Sequence, residues 1–198
     1  MEFSYISKNI FYPIYSVIAK QILQYQDVDK NGICLDIGCG PGYLGMSIVK
    51  KTNMKLCLFD LDSEVLKIAE QTIEEANLNE RAYTCHGNVE DMPFRENYFD
   101  LVISRGSLFF WEDKLKAMNE IFRVLKPGGC AYIGGGFGTK ELKKIITSKM
   151  QEIDETWLLK VKERRGRIKN YREIVEKSRV NTYEIINDET GYWIILKK

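Results

Sequence analysis

Asp36, Gly38, Gly40 and Gly42 stand close together in Ile33-Cys34-Leu35-Asp36-Ile37-Gly38-Cys39-Gly40-Pro41-Gly42, and Asp60 closes the next apolar run, Lys55 to Phe59. Glycines in such a turn let the backbone come close to a ligand and accept a positive φ. A carboxylate placed roughly 20 residues after them suits the two hydroxyls of a ribose. The chemistry implied is the binding of a nucleoside cofactor. Gly40-Pro41-Gly42-Tyr43-Leu44-Gly45 fits the G-x-G-x-x-G spacing of dinucleotide enzymes. Asp36, an acid inside the strand before the glycines, is odd beside a pyrophosphate and useful beside a cationic ligand.

These residues need a frame. Ile33 to Ile37 reads as a strand buried on both faces, followed by the glycine turn and a helix from Tyr43. Asp62 or Ser63 caps a helix with the stripe Val65, Leu66, Ile68, Ala69, Thr72 and Ile73. Strands follow at Ala82 to Cys85 and Tyr98 to Ser104, then a helix carrying Leu115, Met118, Phe122 and Leu125. That helix stops at Lys126-Pro127-Gly128-Gly129 before a strand at Cys130 to Ile133. Leu142 to Trp157 has the spacing of one long amphipathic helix, and Tyr171 to Arg179 of a short one. Thr182 to Ile186 and Tyr192 to Leu196 read as a closing antiparallel hairpin. Ahead of the first strand, Ile14, Val17, Ile18, Ile22 and Tyr25 mark another amphipathic helix.

The string Leu-Asp-Ile-Gly-Cys-Gly-Pro-Gly resembles motif I of the class I S-adenosylmethionine (SAM) methyltransferases. Gly87-Asn88-Val89-Glu90-Asp91-Met92-Pro93-Phe94 is similar to their G-D-A-E-D-L-P-F stretch, and Tyr98-Phe99-Asp100-Leu101-Val102 and Leu125-Lys126-Pro127-Gly128-Gly129 are two further likenesses. The resemblance implies an α/β, Rossmann-like fold: a seven-stranded, mostly parallel sheet with helices on both faces and a C-terminal antiparallel hairpin. It implies SAM as cofactor rather than NAD, and methyl transfer by in-line displacement as the reaction. The cofactor-binding residues it implies are Asp36, Gly38, Gly40, Gly42, Asp60, Leu61, Asn88, Val89, Ser104 and Arg105. Asn88 replaces the family's acid, yet its amide oxygen can accept from the adenine amino group. The N-terminal segment, residues 1–29, is either an aromatic edge packed on the core or a helical lid. Residues 139–181 form a helical insertion before the hairpin, all within one domain spanning 1–198.

The C-terminal end of the fourth strand opens where α/β sheets place ligands. Arg105 there departs from the small or apolar residue of many members of the family. It can fork onto a carboxylate, of the cofactor or of an acidic substrate, or pair with a loop acid. Phe109, Phe110 and Trp111 either wall a pocket or seat the next helix. No fixed catalytic dyad is needed, because the cofactor supplies the leaving group; candidates for a base or positioning group are Arg105, His86, Glu112 and Tyr12.

Composition narrows the partners. The 198 residues carry 29 Lys and Arg against 28 Asp and Glu, which gives no general drive toward nucleic acid or anionic membranes. One histidine, and five cysteines without a C-x-x-C, offer no metal site and point to reduced thiols. Met1 to Lys8 is polar and lacks the apolar stretch of a secretion signal, which predicts a cytoplasmic protein. No Asn/Asp-Pro-Pro-Tyr/Phe and no Pro-Cys follows the fourth strand, arguing against amino-adenine, glutamine and cytosine-C5 methylation. A small-molecule acceptor is expected. The basic run Lys160 to Lys169 is the one feature that points to a protein or RNA acceptor, and a non-catalytic SAM-binding module is the third reading.

Overall fold

The computed structural model of the chain describes residues 3–25, 28–166 and 169–198. Seven strands form one sheet: β1 (Ile33–Ile37), β2 (Lys55–Asp60), β3 (Ala82–His86), β4 (Phe99–Arg105), β5 (Leu125–Gly136), β6 (Thr182–Asn187) and β7 (Gly191–Lys197). Their order is β3-β2-β1-β4-β5-β7-β6; the first five run parallel, and β7 is antiparallel to both neighbours. The chain reverses its direction of winding between β1 and β4, so a crevice opens beyond their C-terminal ends.

Each face of the sheet carries its own core. On one face lie α2 (Tyr12–Tyr25), α3 (Tyr43–Val49), α4 (Ser63–Glu75) and α6 (Lys140–Ile153). On the other lie α5 (Lys114–Val124) and α8 (Lys169–Lys177). Ile14, Ile18 and Ile22 of α2 are fully buried, each worth about 1.5–3 kcal/mol of hydrophobic stabilisation. That burial fixes the N-terminal segment on the domain. A π-helical turn at Ser7–Phe11, preceded by the short α1 (Phe3–Ile6), then carries the chain to the mouth of the crevice.

Two sequence expectations change in detail, and a third falls partly outside the described residues. The single helix expected over Leu142 to Trp157 is two, α6 and α7 (Trp157–Gly166). Asp154 is extended between them, and its carboxylate accepts from the N–H and hydroxyl of Thr156 at 3.0 and 2.6 Å, a local bond that competes with the helix. The strand expected from Cys130 starts at Leu125: Phe99 pairs with Leu125 and Leu101 with Cys130, so the Lys126–Gly129 turn bulges out of a continuing ladder. The turn is held by Lys126, whose ammonium reaches both oxygens of Asp100 at 2.9 and 2.7 Å. Of the expected basic run, the side chains of Arg164, Arg165 and Lys169 and residues 167 and 168 lie outside the described residues.

Candidate active site

The glycine turn is held from below. Burial leaves Asp36 only 2% exposed, and its Oδ2 accepts the Gly45 N–H of α3 at 2.9 Å. Removal from water pushes its carboxyl up to about 8, with the nearby Asp60 charge adding to the rise and the Gly45 bond opposing it. The N–H groups of Gly38 and Cys39 both go to Phe59 O, that of Gly40 to Asp60 Oδ2 at 3.0 Å, and that of Gly42 to Cys39 O. Pro41 has no N–H. The turn therefore spends its donors internally instead of presenting them as a phosphate cradle. Gly38 has φ +61° and packs so closely on Ser107 that a Cβ would collide with it.

Asp60 ends β2 with both oxygens already oriented: Oδ2 by Gly40 N–H and Oδ1 by Asp62 N–H at 3.1 Å. Each oxygen keeps a free lone pair toward the crevice. Leu61 beside it is 64% exposed, a large apolar side chain standing open in a cleft. Asp62 caps α4 through Glu64 N–H and Val65 N–H, which fixes the direction of this segment. Across from it, Asn88 and Val89 line the crevice. Asn88 Oδ1 accepts Glu90 N–H at 2.9 Å, so one of its two lone pairs is used within the loop. The loop is clamped from behind. Arg123 donates to Phe94 O and Met92 O at 2.7 and 3.1 Å and pairs with Glu120, whose Oε2 accepts Met92 N–H at 2.9 Å. The Arg123 bond holds the Glu120 carboxyl below its usual range.

Asp60, Leu61, Asn88 and Val89 line one cavity of about 1150 Å³, a little above the range of roughly 300–1,000 Å³ of ordinary small-molecule sites. One half is lined by Gly38, Gly40, Asp60, Leu61, Asn88 and Val89. The other is built by Phe11, Arg105, Phe109, Trp111, Gly135, Gly136, Phe137, Trp157 and Tyr192. Arg105 ends β4, donates Nε–H to Gly136 O at 3.0 Å, and lies 5.0 Å from the Phe11 ring centre and 5.6 Å from that of Tyr15. Burial lowers its pKa from the ordinary value while the Tyr15 phenol acts oppositely; a guanidinium stays charged throughout. The loop acid considered as its partner is not there: among the described residues no carboxylate pairs with Arg105.

Several sequence candidates stand elsewhere. Asp36 supports the turn from beneath and does not line the cavity; its acid serves the start of α3. Gly42 caps α3 at φ +81°, with Leu58 beneath it. Ser104 is fully buried, bonded to Ser107 Oγ at 2.6 Å, and it is Ser107 that reaches the cavity while touching Ile37 O. His86 turns its ring to Leu61 O at 2.9 Å, a support for the Asp60–Leu61 segment. Tyr12 is 54% exposed, packed edge-on to Tyr43 at 5.4 Å, away from the cavity. Glu112 lines the rim, where its N–H and that of Asp113 are held by Glu90 Oε1. Ser107, in the stretch after β4 that the sequence places at the opening of the site, does line the cavity. Phe137, Trp157 and Tyr192 are not singled out by the sequence and meet only through packing of α6, α7 and β7 over the crevice.

Residues 35–133 match the family model described as a methyltransferase domain. A demethylmenaquinone methyltransferase of Lactiplantibacillus plantarum is 32% identical over 55% of this chain and 47% of its own length. The mouse mitochondrial arginine-hydroxylase NDUFAF5 is 33% identical over 75% of this chain and 39% of its own. The chain thus spans less than half the length of either curated relative. A solved Methanococcus maripaludis structure, provisionally described as a SAM-dependent methyltransferase, superposes with a TM-score of 0.94 at 38% identity, covering 98% of this chain and 90% of that one.

Proposed function

The chain belongs to the class I SAM-dependent methyltransferases, and from that premise we propose that it moves the sulfonium methyl of SAM to a small-molecule acceptor held in the aromatic half of its cavity. The single observation that carries the reading is the pairing of the two halves. A preoriented carboxylate and an exposed leucine stand on one side, and the aromatic side chains of Phe11, Phe109, Trp111, Phe137, Trp157 and Tyr192 line the same cavity.

In this reading Asp60 takes the ribose hydroxyls, Leu61 and Val89 sandwich the adenine, and Asn88 meets its edge with the lone pair and the amide hydrogens left free. The turn with its donors already spent supports a sulfonium cofactor over a dinucleotide, because a pyrophosphate needs open N–H groups. SAM supplies the activated methyl group. The protein's part is alignment, which can be worth roughly 7–11 kcal/mol of barrier. The N-terminal helices act as a lid: Ile6 and Phe11 reach the cavity from a segment anchored by α2. The aromatic lining also fits a small, largely apolar acceptor better than a protein loop or RNA, and one relative is a demethylmenaquinone methyltransferase. Five free thiols, three of them buried, support a reducing compartment such as the cytoplasm.

The test is incubation with methyl-labelled SAM and host extract, with Asp60→Ala as control. Label in the small-molecule fraction that the variant fails to produce supports the reading. Label in protein or RNA instead refutes the small-molecule acceptor.

A further inference from the structure

Arg105 is a partly buried cation beside two aromatic rings and, among the described residues, without a counter-ion. Its Nε–H is committed to Gly136 O, and one face of the guanidinium lies against Phe11. The two terminal nitrogens, with four N–H donors between them, have no acceptor among the described residues. A charge so placed is expensive until an anion meets it. The other cations of the cavity stand at its rim and are mostly occupied: Lys143 donates to Glu189 O, Lys160 is paired with Asp154, and Lys162 is exposed.

Resting on the methyltransfer reading above, we propose that Arg105 anchors a carboxylate carried by the methyl acceptor. The acceptor is then a lipophilic carboxylic acid whose apolar body lies against Phe109, Trp111, Phe137, Trp157 and Tyr192. One planar fork matches one carboxylate bidentately. The amino-acid end of SAM also bears a carboxylate. Arg105 is tied to Gly136 of β5 and stands among the aromatic side chains of the cavity, with β1 and β4 between β5 and the strand that bears Asp60. Comparison with 5′-methylthioadenosine separates the acceptor's carboxylate from that of the cofactor.

The test uses the full chain saturated with S-adenosylhomocysteine. Titration calorimetry compares 4-phenylbutyrate and decanoate with their primary amides, for wild type, Arg105→Met and Arg105→Lys. Expected is at least a tenfold preference of the wild type for the carboxylates. Arg105→Met abolishes it and Arg105→Lys keeps part of it, while affinity for S-adenosylhomocysteine stays within threefold. Retained cofactor affinity also shows that the variant is folded; if Arg105→Met does not fold, the wild type and Arg105→Lys decide. No carboxylate preference in the wild type overturns the proposal. So does a loss of affinity in Arg105→Met for S-adenosylhomocysteine but not for 5′-methylthioadenosine, which lacks the amino-acid end; the guanidinium would then serve the cofactor. Failure of the wild type to bind S-adenosylhomocysteine at all overturns the cofactor reading first, and this one with it.

Discussion

Replacing Asp60 with alanine removes two oxygens that the protein holds in place before any ligand arrives. Gly40 N–H and Asp62 N–H fix them at 3.0 and 3.1 Å, so no ordering cost is left to binding. A hydrogen bond to a charged group contributes about 1.5–3 kcal/mol, and each 1.4 kcal/mol is tenfold in affinity. The crevice is open to solvent, which favours the lower figure per bond. One lost ribose bond then weakens SAM about tenfold, and two about a hundredfold. Asp60→Asn separates direct from indirect loss: its oxygen keeps one ribose bond and one backbone anchor, while its NH₂ faces a backbone donor. The expected order of SAM affinity by calorimetry is wild type, then Asn, then Ala, with Ala at least tenfold weaker. The melting temperature of each variant, measured alongside, reports whether the turn still folds. Unchanged affinity for Asp60→Ala in a folded protein would refute the placement of the ribose, and with it the division of the cavity into two halves.

Gly38→Ala forces a Cβ onto Ser107 at a φ of +61°, so SAM affinity is expected to fall at least tenfold, with a strain cost of about 1–2 kcal/mol visible in urea melts. Asp36→Asn should stabilise the fold in a pH-dependent way. The wild-type carboxyl, pushed up to about 8, keeps its proton in the folded chain, whereas the unfolded chain loses it near pH 4. Stability therefore drains away as pH rises from about 4 to about 8. The variant, which retains an acceptor for Gly45 N–H, should show a higher urea midpoint than wild type at pH 8 and nearly the same one at pH 4.5. An equal gap at both values would contradict a buried, proton-holding Asp36. Arg123→Ala unclamps the Met92–Phe94 loop and leaves Glu120 unpaired, with an expected stability loss of about 1–3 kcal/mol and weaker SAM binding because Asn88 and Val89 lose their backing. A variant of full stability and full affinity would show that the loop is held by other contacts.

One half of the cavity lining was legible in the sequence alone. Gly38, Gly40, Asp60, Leu61, Asn88 and Val89 lie in short stretches whose geometry is dictated locally. A buried strand, a turn that needs positive φ and a capped helix place their residues without help from distant chain. The sheet, with its closing hairpin, was legible for the same reason, since each strand carries its own apolar pattern. Tertiary structure decided the rest. It put Asp36 beneath the turn, buried Ser104 and brought Ser107 forward, and swung Tyr12 and His86 away, because side-chain direction at an element's end depends on what packs there. It broke the expected long helix at Asp154. Above all it made the aromatic chamber, in which Phe11, Arg105, Phe137, Trp157 and Tyr192 come from five separate parts of the chain and meet only once α2, α6, α7 and β7 have closed around the ends of β4 and β5. No local pattern encodes such a meeting; it is fixed by burial on the two faces of the sheet.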